Sequence, residues 1–158
     1  MNKRVAMLTL LLLLVLSNVV FAAMPIIKAD TTYFDPGDGV YVLKGNVLIE
    51  AGKRTFTASQ AKVSLGSFEV WGTGGVTVAE GDIFFTGDSV YVYGKDHMAK
   101  IDGGLRFSRS NIDIVADHAE YNWKTKLAVF TGNVAITRDG ATTKADTASY
   151  SFKTNQLL

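Results

Sequence analysis

Apolar and polar residues alternate along most of the chain, and the alternating pattern returns every 29 residues. Alternation with a period of two is typical of a β-strand that has one buried face. Copies of one strand align at recurring glycines, which are Gly45, Gly74, Gly103 and Gly132. Equivalent positions of successive repeats form a column. The columns two and four residues after the glycine are apolar: Val47, Val76, Leu105 and Val134, and Ile49, Val78, Phe107 and Ile136. Charged residues take the opposite parity, so that face is expected to contact water.

A second strand in each repeat reverses its apolar parity at a recurring two-residue step. The step reads Ala-Asp at 29–30, 116–117 and 145–146, Ala-Ser at 58–59, and Gly-Asp at 87–88. The apolar residues are Phe56, Phe85 and Ile114 before the step, and Ala61, Val90 and Ala119 after it. A reversed parity requires a bulge or a bend, because a slip of one residue otherwise turns every side chain to the wrong face.

Turn-forming residues occur twice per repeat and predict one antiparallel hairpin in each. With Ala51-Gly52 as a two-residue loop, Val47 would pair with Phe56, and Gly45 with Ala58. The two bend-prone sites would then lie side by side, so that the halves of each hairpin belong to two opposed sheets. The sequence therefore predicts an all-β fold, an open twisted β-jellyroll or two-sheet sandwich. A parallel β-helix is the alternative, because its coils recur at a similar length.

The N-terminal segment has the order of a secretory signal peptide. Lys3 and Arg4 precede a continuous apolar run, and small residues follow at Ala22 and Ala23. We expect residues 1–23 to be a signal peptide that directs export of the chain, and residues 24–158 to form one domain. An uncleaved anchor is the alternative, because the apolar segment is just long enough to span a bilayer.

Composition narrows the range of partners. The chain of 158 residues has no cysteine, which excludes disulfides, thiolate metal sites and a lipid-modified cysteine. Lys3 and Arg4 are the basic residues of the leader. Removal of the leader would therefore leave 14 of the 16 basic residues, against 15 acidic ones. With this balance and no basic cluster, nucleic acid is not an expected partner.

Four segments carry a resemblance to a known family. They are KGNVLIE at 44–50, IVADHAEY at 114–121, FTGNVAI at 130–136 and KADTASY at 144–150. In fixed register they resemble the OstA-like family of periplasmic lipopolysaccharide-transport proteins, which comprises LptA, LptC and the N-terminal domain of LptD. The resemblance extends from about Ala29 to Tyr150. The copy SFEVWGTGG at 67–75 departs from the pattern, because a glycine replaces its asparagine.

The resemblance implies a function as well as a fold. Members of the family are open β-jellyrolls whose apolar interior carries lipopolysaccharide acyl chains across the periplasm. The expected protein is thus a non-enzymatic bridge or carrier between the inner and outer membranes. Its expected partners are lipopolysaccharide, LptC-like and LptD-like proteins bound through terminal strands, and further copies of itself. A membrane-anchored LptC-like component and a β-helical polysaccharide-binding protein or lyase are the alternatives.

The apolar columns of the successive hairpins are the expected contacts of the acyl chains. They comprise Val47, Ile49, Phe56, Val76, Val78, Phe85, Leu105, Phe107, Ile112, Ile114, Val134 and Ile136. The first and last strands are expected to be unpaired edges, near 26–34 and 143–152, that accept the strand of a partner. The expected edge residues are Ile27, Asp30, Thr32, Phe34, Asp146, Ala148 and Tyr150.

Other chemistry has weaker support in the sequence, and we expect neither an enzyme nor a cofactor or metal site. No catalytic or phosphate-binding motif occurs, and the charges scatter across turns. His97 and His118 fall in different columns. The aspartates of the bend column can stack as a ladder for a hard cation, although local backbone bonds account for them more simply. Trp71, Tyr121, Trp123 and Tyr150 can form a sugar platform, but their spacing favours a core.

Overall fold

A computed structural model describes residues 25–158, which form strands joined by turns. The predicted signal peptide lies outside the described residues. The strands are β1 (Ile26–Lys28), β2 (Thr31–Asp35), β3 (Val40–Ala51), β4 (Arg54–Ser64), β5 (Glu69–Glu80), β6 (Ile83–Tyr93), β7 (Met98–Arg109), β8 (Ile112–Asn122), β9 (Leu127–Arg138), β10 (Ala141–Ser151) and β11 (Gln156–Leu157).

All the strands belong to one antiparallel sheet, in which β3 to β10 follow one another in chain order. β1 and β2 both pair with β3, along different halves of it, and β11 pairs with the end of β10. The prediction of an all-β fold made of successive hairpins is confirmed. The parallel β-helix is wrong, because every strand pair described is antiparallel.

A line of bulges crosses the sheet at the predicted bends. In the β3–β4 pair the register shifts between Lys44 and Val47, so Gly45 and Asn46 together lie opposite Ser59. Gly45 and Asn46 have φ angles of 74° and 47°, in the left-handed region that glycine and asparagine adopt most readily. The corresponding pairs at 74–75, 103–104 and 132–133 also have positive φ. The recurring glycines are therefore explained by backbone conformation.

The sheet folds across this line, and its two halves face each other as layers. Phe56 lies before the bulge of β4 and Gly72 before that of β5, yet a Cβ added to Gly72 would meet the tip of the Phe56 ring at 2.3 Å. Phe85 and Tyr121, on opposite sides of their bulges, have ring centroids 5.5 Å apart. The two predicted layers are thus halves of one bent sheet, and the core lies between them.

The predicted hairpin register is wrong by two residues. Ile49 pairs with Phe56, Val47 with Ala58, and Ala51 with Arg54, so the turn is at Gly52-Lys53 and not at Ala51-Gly52. A slip of two residues keeps each side chain on its own face, so the apolar pattern could not detect it. Gly45 consequently lies in the bulge opposite Ser59 and does not face Ala58.

The bend glycines lead to a first prediction: Gly103→Val should destabilise the fold more than Gly81→Val. Both glycines have positive φ, so valine is strained at either position. Only at Gly103 would the new Cβ also meet a neighbour, the Asp88 carboxylate at 2.4 Å, whereas Gly81 has open space. This extra crowding should lower the free energy of unfolding by about 1–3 kcal/mol.

Thermal or urea melts of the two variants measure the difference. Because Asp88 is exposed, the crowding occurs on the outer face and not in the interior. Equal destabilisation of the two variants would show that the Asp88 contact is unimportant.

Candidate functional site

An apolar cavity of about 230 Å³ lies between the two layers, toward the N-terminal end of the sheet. Its walls come from β1 and β3 to β8, together with the turns that follow β4, β6 and β8. The apolar residues that line it include Ile27, Ile49, Phe56, Val63, Leu65, Phe68, Val70, Val78, Ile83, Phe85, Val92, Ala99, Tyr121 and Trp123. Leu65 and Phe68 are 48% and 66% exposed, so the turn after β4 forms an exposed apolar rim.

The space lies beside a repeat column that carries smaller residues in its N-terminal copies. The column reads Val63, Val92, Tyr121 and Tyr150. Val63 and Val92 line the cavity at the positions where the later copies have tyrosine. Valine at these two positions occupies less space than tyrosine would, which leaves more room between the layers.

At the C-terminal end large aromatic side chains fill the interior. The ring centroid of Phe107 lies 5.0 Å from that of Phe85, 5.6 Å from that of Phe130 and 5.4 Å from that of Phe152. Phe152 follows β10 and is also 5.0 Å from Tyr121, so it closes this end of the interior. The interior is thus a packed core at one end and a cavity at the other.

The twelve predicted acyl contacts all lie in or against the core, but only some of them reach the cavity. Ile49, Phe56, Val78 and Phe85 line it. The remaining eight, which do not, are Val47, Val76, Leu105, Phe107, Ile112, Ile114, Val134 and Ile136. Parity along a strand identifies which side chains point inward, but it does not distinguish a packed position from one beside empty space.

Charged residues that the sequence did not single out border the cavity: Arg54 and Glu80 line it, and Lys126 is paired with Glu80. This edge of the cavity is called its mouth below. Glu80 accepts hydrogen bonds from Arg54 Nε and Lys126 Nζ, each at 2.9 Å. Arg54 also lies over the Trp123 ring, 4.9 Å from its centroid. These contacts join the ends of β4 and β5 to the turn after β8, so they tie the two layers together.

Burial and ion pairing act on Glu80 in opposite directions. Burial alone would raise the pKa of its carboxyl, but hydrogen bonds from Lys126 and Arg54 and their positive charges lower that pKa on balance. The pKa of Lys126 is raised by its hydrogen bond to Glu80. The charged forms of both residues therefore stabilise the folded chain.

We accordingly expect Glu80→Gln to lower the free energy of unfolding at neutral pH by about 1–2 kcal/mol, a modest value because both cations are partly exposed. A carboxyl with a lowered folded pKa stabilises fully above its unfolded pKa of about 4.3. That contribution disappears as the pH falls through the folded pKa. The gap between variant and parent should therefore close in acid, which urea melts across pH would measure.

Glu120→Gln is the matched control for this ion pair. Glu120 pairs with Lys100 at 2.8 Å on the exposed face, and its side chain is 53% exposed against 18% for Glu80. An exposed pair of this kind contributes less than about 1 kcal/mol. Equal losses in the two variants would mean that the Glu80 cluster does not hold the layers together.

Tyr121 is the one described residue whose buried side-chain polar atom lacks a hydrogen-bond partner. Its side chain is 2% exposed and borders the cavity. Burial has the largest influence on the pKa of its hydroxyl and raises it. The negative charge of Glu80 also raises that pKa, whereas Lys126 and Arg54 lower it. The Tyr121 hydroxyl is therefore an unsatisfied hydrogen-bond donor at the border of the cavity.

The predicted edge residues lie at the two ends of the sheet, with one correction. Ile27 is in β1, Asp30 lies between β1 and β2, and Thr32 and Phe34 are in β2. Asp146, Ala148 and Tyr150 are in β10, but β11 pairs with Tyr150 and Ser151. The open part of the C-terminal edge therefore ends before Ser149, whose carbonyl accepts a hydrogen bond from the Leu158 amide at 2.9 Å.

The remaining polar residues have structural surroundings. Asp30 and Asp117 accept hydrogen bonds from Asn46 and Asn133 across the bends, at 2.9 and 2.8 Å. His118 Nδ1 lies 2.5 Å from an Asp102 carboxylate oxygen. Among residues 25–158, no three potential metal-ligating side chains of His, Cys, Asp or Glu come together. Nor does any helix in that range have the length and apolarity to cross a membrane.

The geometry defines an open β-jellyroll, a bent sheet with an apolar interior and two terminal edges. A family model described as "LptA/(LptD N-terminal domain) LPS transport protein" matches residues 113–156, from β8 to β11. This match confirms that the chain resembles the LptA and LptD N-terminal family. Among solved structures, the chain matches that of LptH, the LptA homologous periplasmic component of the conserved lipopolysaccharide transport device from Pseudomonas aeruginosa. The two share 14% identity with a TM-score of 0.40, over 85% of this chain and 80% of that one. No curated protein matches.

Proposed function

We propose that this chain is a periplasmic component of lipopolysaccharide transport that holds acyl chains in its apolar cavity. The observation that carries the proposal is the cavity itself, lined by apolar side chains between the layers. Moving apolar surface out of water favours such a complex by about 0.8 kcal/mol for each buried methylene. The family match at residues 113–156 supports the same role. The role requires no catalytic chemistry.

The proposal includes a place in an assembly. Residues 1–23 act as a signal peptide, and the domain from residue 24 onward bridges the inner and outer membranes. LptC-like and LptD-like partners, or further copies of this chain, pair with β1–β2 at one end and β10 at the other. Exposed backbone donors and acceptors on terminal strands support this mode of association. Directional transport then depends on partners that supply energy.

Site-specific photo-crosslinking tests the acyl site. A photoreactive residue at Val78 or Phe85, which line the cavity, should label lipopolysaccharide in the periplasm. The same residue at Lys100, on the outer face in an ion pair with Glu120, should not. Phe107, fully buried in the aromatic cluster, is a second control and should label less than Phe85. Equal labelling at Lys100 and Val78 would contradict a lipid site between the layers.

A further inference from the structure

Tyr121, whose hydroxyl is unused, lines the same cavity as Arg54 and Glu80, and Lys126 is paired with Glu80. We propose that Arg54, Lys126 and Tyr121 bind the phosphate-bearing head of an amphiphile whose acyl chains occupy the cavity. This inference rests on the proposed function and adds to it the chemistry of the head group.

The ion cluster has unused binding capacity for an anion. Two cations, Arg54 and Lys126, share the single carboxylate of Glu80, so the cluster carries one excess positive charge. Arg54 contacts Glu80 through Nε, which leaves its terminal amino groups to donate elsewhere. A phosphate oxygen accepts such charge-assisted hydrogen bonds well, and arginine and lysine are its usual partners.

The surroundings place the anion on one side of the mouth. Glu69 also lines the cavity, but it is engaged by Ser67 Oγ at 2.6 Å and Tyr91 Oη at 3.1 Å. Its negative charge disfavours a phosphate near the turn after β4. Trp123 packs on the Arg54 guanidinium and so restricts its position. An anionic head is therefore favoured beside Arg54 and Lys126.

Tyr121 supplies the second, independent observation. Its hydroxyl is buried, and its proton has no acceptor among residues 25–158, which is unfavourable in the lipid-free protein. In an acylated lipid, an ester or amide carbonyl lies between the phosphate-bearing head and the hydrocarbon chain. A carbonyl at this position would accept the Tyr121 hydrogen bond, so one amphiphile satisfies the cavity, the hydroxyl and the cations together.

The test compares matched lipids with and without phosphate. The probes are lipid A against its dephosphorylated form, and phosphatidic acid against diacylglycerol, each displacing a fluorescent fatty acid from the purified protein. The parent should bind a phosphorylated member roughly tenfold more tightly than its partner, the expected effect of one or two charge-assisted bonds. Lys126→Gln should remove most of that preference, which is measured as the ratio of the two affinities within each lipid pair. Lys124→Gln, at an exposed position in the same turn, should retain it.

Tyr121→Phe gives a readout that a merely structural role would not produce. Removing an unpaired buried hydroxyl should leave the melting temperature of the empty protein unchanged or raise it. The same variant should bind both acylated lipids more weakly. Weaker binding together with a lower melting temperature would contradict the assignment of Tyr121 to the ligand.

The outcomes separate this inference from the proposed function. If both members of each pair bind equally well, and Lys126→Gln changes nothing, the head-group site is refuted while acyl binding stands. If no lipid displaces the fatty acid, the inference and the proposed function both fail. A phosphate preference confined to lipid A or to phosphatidic acid supports the site and identifies its source of phosphate.

Discussion

Thr147→Pro should abolish concentration-dependent association of the protein and prevent a partner's strand from pairing with β10. The position follows from the direction of the backbone groups. The Ser149 carbonyl accepts a hydrogen bond from the amide of Leu158, which directly follows β11, so the backbone groups of Ser149 point away from β9. The N–H and C=O groups of successive residues point to alternate sides of an antiparallel strand. Those of Ala148 therefore point toward β9, and those of Thr147 point toward the open edge. Proline at Thr147 removes a free donor and no ladder bond.

The sequence alone would place the proline at Ala148, whereas the backbone directions favour Thr147. Ala148 lies in the middle of the predicted edge, but its side chain is 8% exposed and it pairs with Phe130. Proline there would damage the β9–β10 ladder and confuse loss of assembly with loss of folding. Thr147 is exposed.

Light scattering across a range of concentrations measures association of the parent and of Thr147→Pro, and circular dichroism reports whether the sheet remains folded. Thr147→Ala is the control, because it shortens the same side chain and keeps the donor. Association that persists in Thr147→Pro would exclude β10 as the contact. A parent that stays monomeric, with no partner strand crosslinked to either edge, would contradict the bridging role.

Val78→Trp should abolish lipid binding and leave the melting temperature unchanged or higher. Val78 is partly buried, borders the cavity and lies beside Phe56 and Phe85 in the pairing of β4, β5 and β6. A larger ring there occupies space that an acyl chain would otherwise fill. Filling a natural apolar cavity commonly stabilises a fold by about 0.5–2 kcal/mol.

Val115→Trp is the control, because Val115 is 40% exposed and does not line the cavity. It adds the same side chain without changing the interior. Displacement of a fluorescent fatty acid and a thermal melt would be measured for both variants. If Val78→Trp retained full affinity, the lipid would have to bind elsewhere.

The sequence predicted the features that depend on the alternation of apolar positions along a strand. It did not predict those that depend on side-chain volume or on the pairing register of a hairpin. The bends were predictable because an odd step between apolar positions, at 58 and 61, requires a bulge whatever the partner strand is. The turn at Gly52-Lys53 was missed because a slip of two residues preserves parity, so the apolar pattern is the same in either register. Turn geometry decides between the registers.

The sequence predicted an apolar interior but not where in that interior space would remain. The alternating pattern depends on apolarity alone, whereas the place of the cavity depends on side-chain volume. The column Val63, Val92, Tyr121 and Tyr150 shows a change from small to large side chains, and the small members border the cavity. The charged mouth requires tertiary information, because Arg54 and Lys126 are far apart in sequence and meet only when the sheet bends.

The most direct test of the acyl site uses the two tryptophans. Trp123 lines the cavity, whereas Trp71 has the opposite parity from Val70, which does line it, and packs edge to face on Tyr91. Fluorescence of Trp71→Phe, which retains Trp123, would be measured during titration with a lipid carrying brominated acyl chains, because bromine quenches tryptophan only at short range. The acyl site predicts that Trp71→Phe loses most of its fluorescence and that Trp123→Phe keeps most of its own. Quenching confined to Trp71, or absent from both, would contradict it.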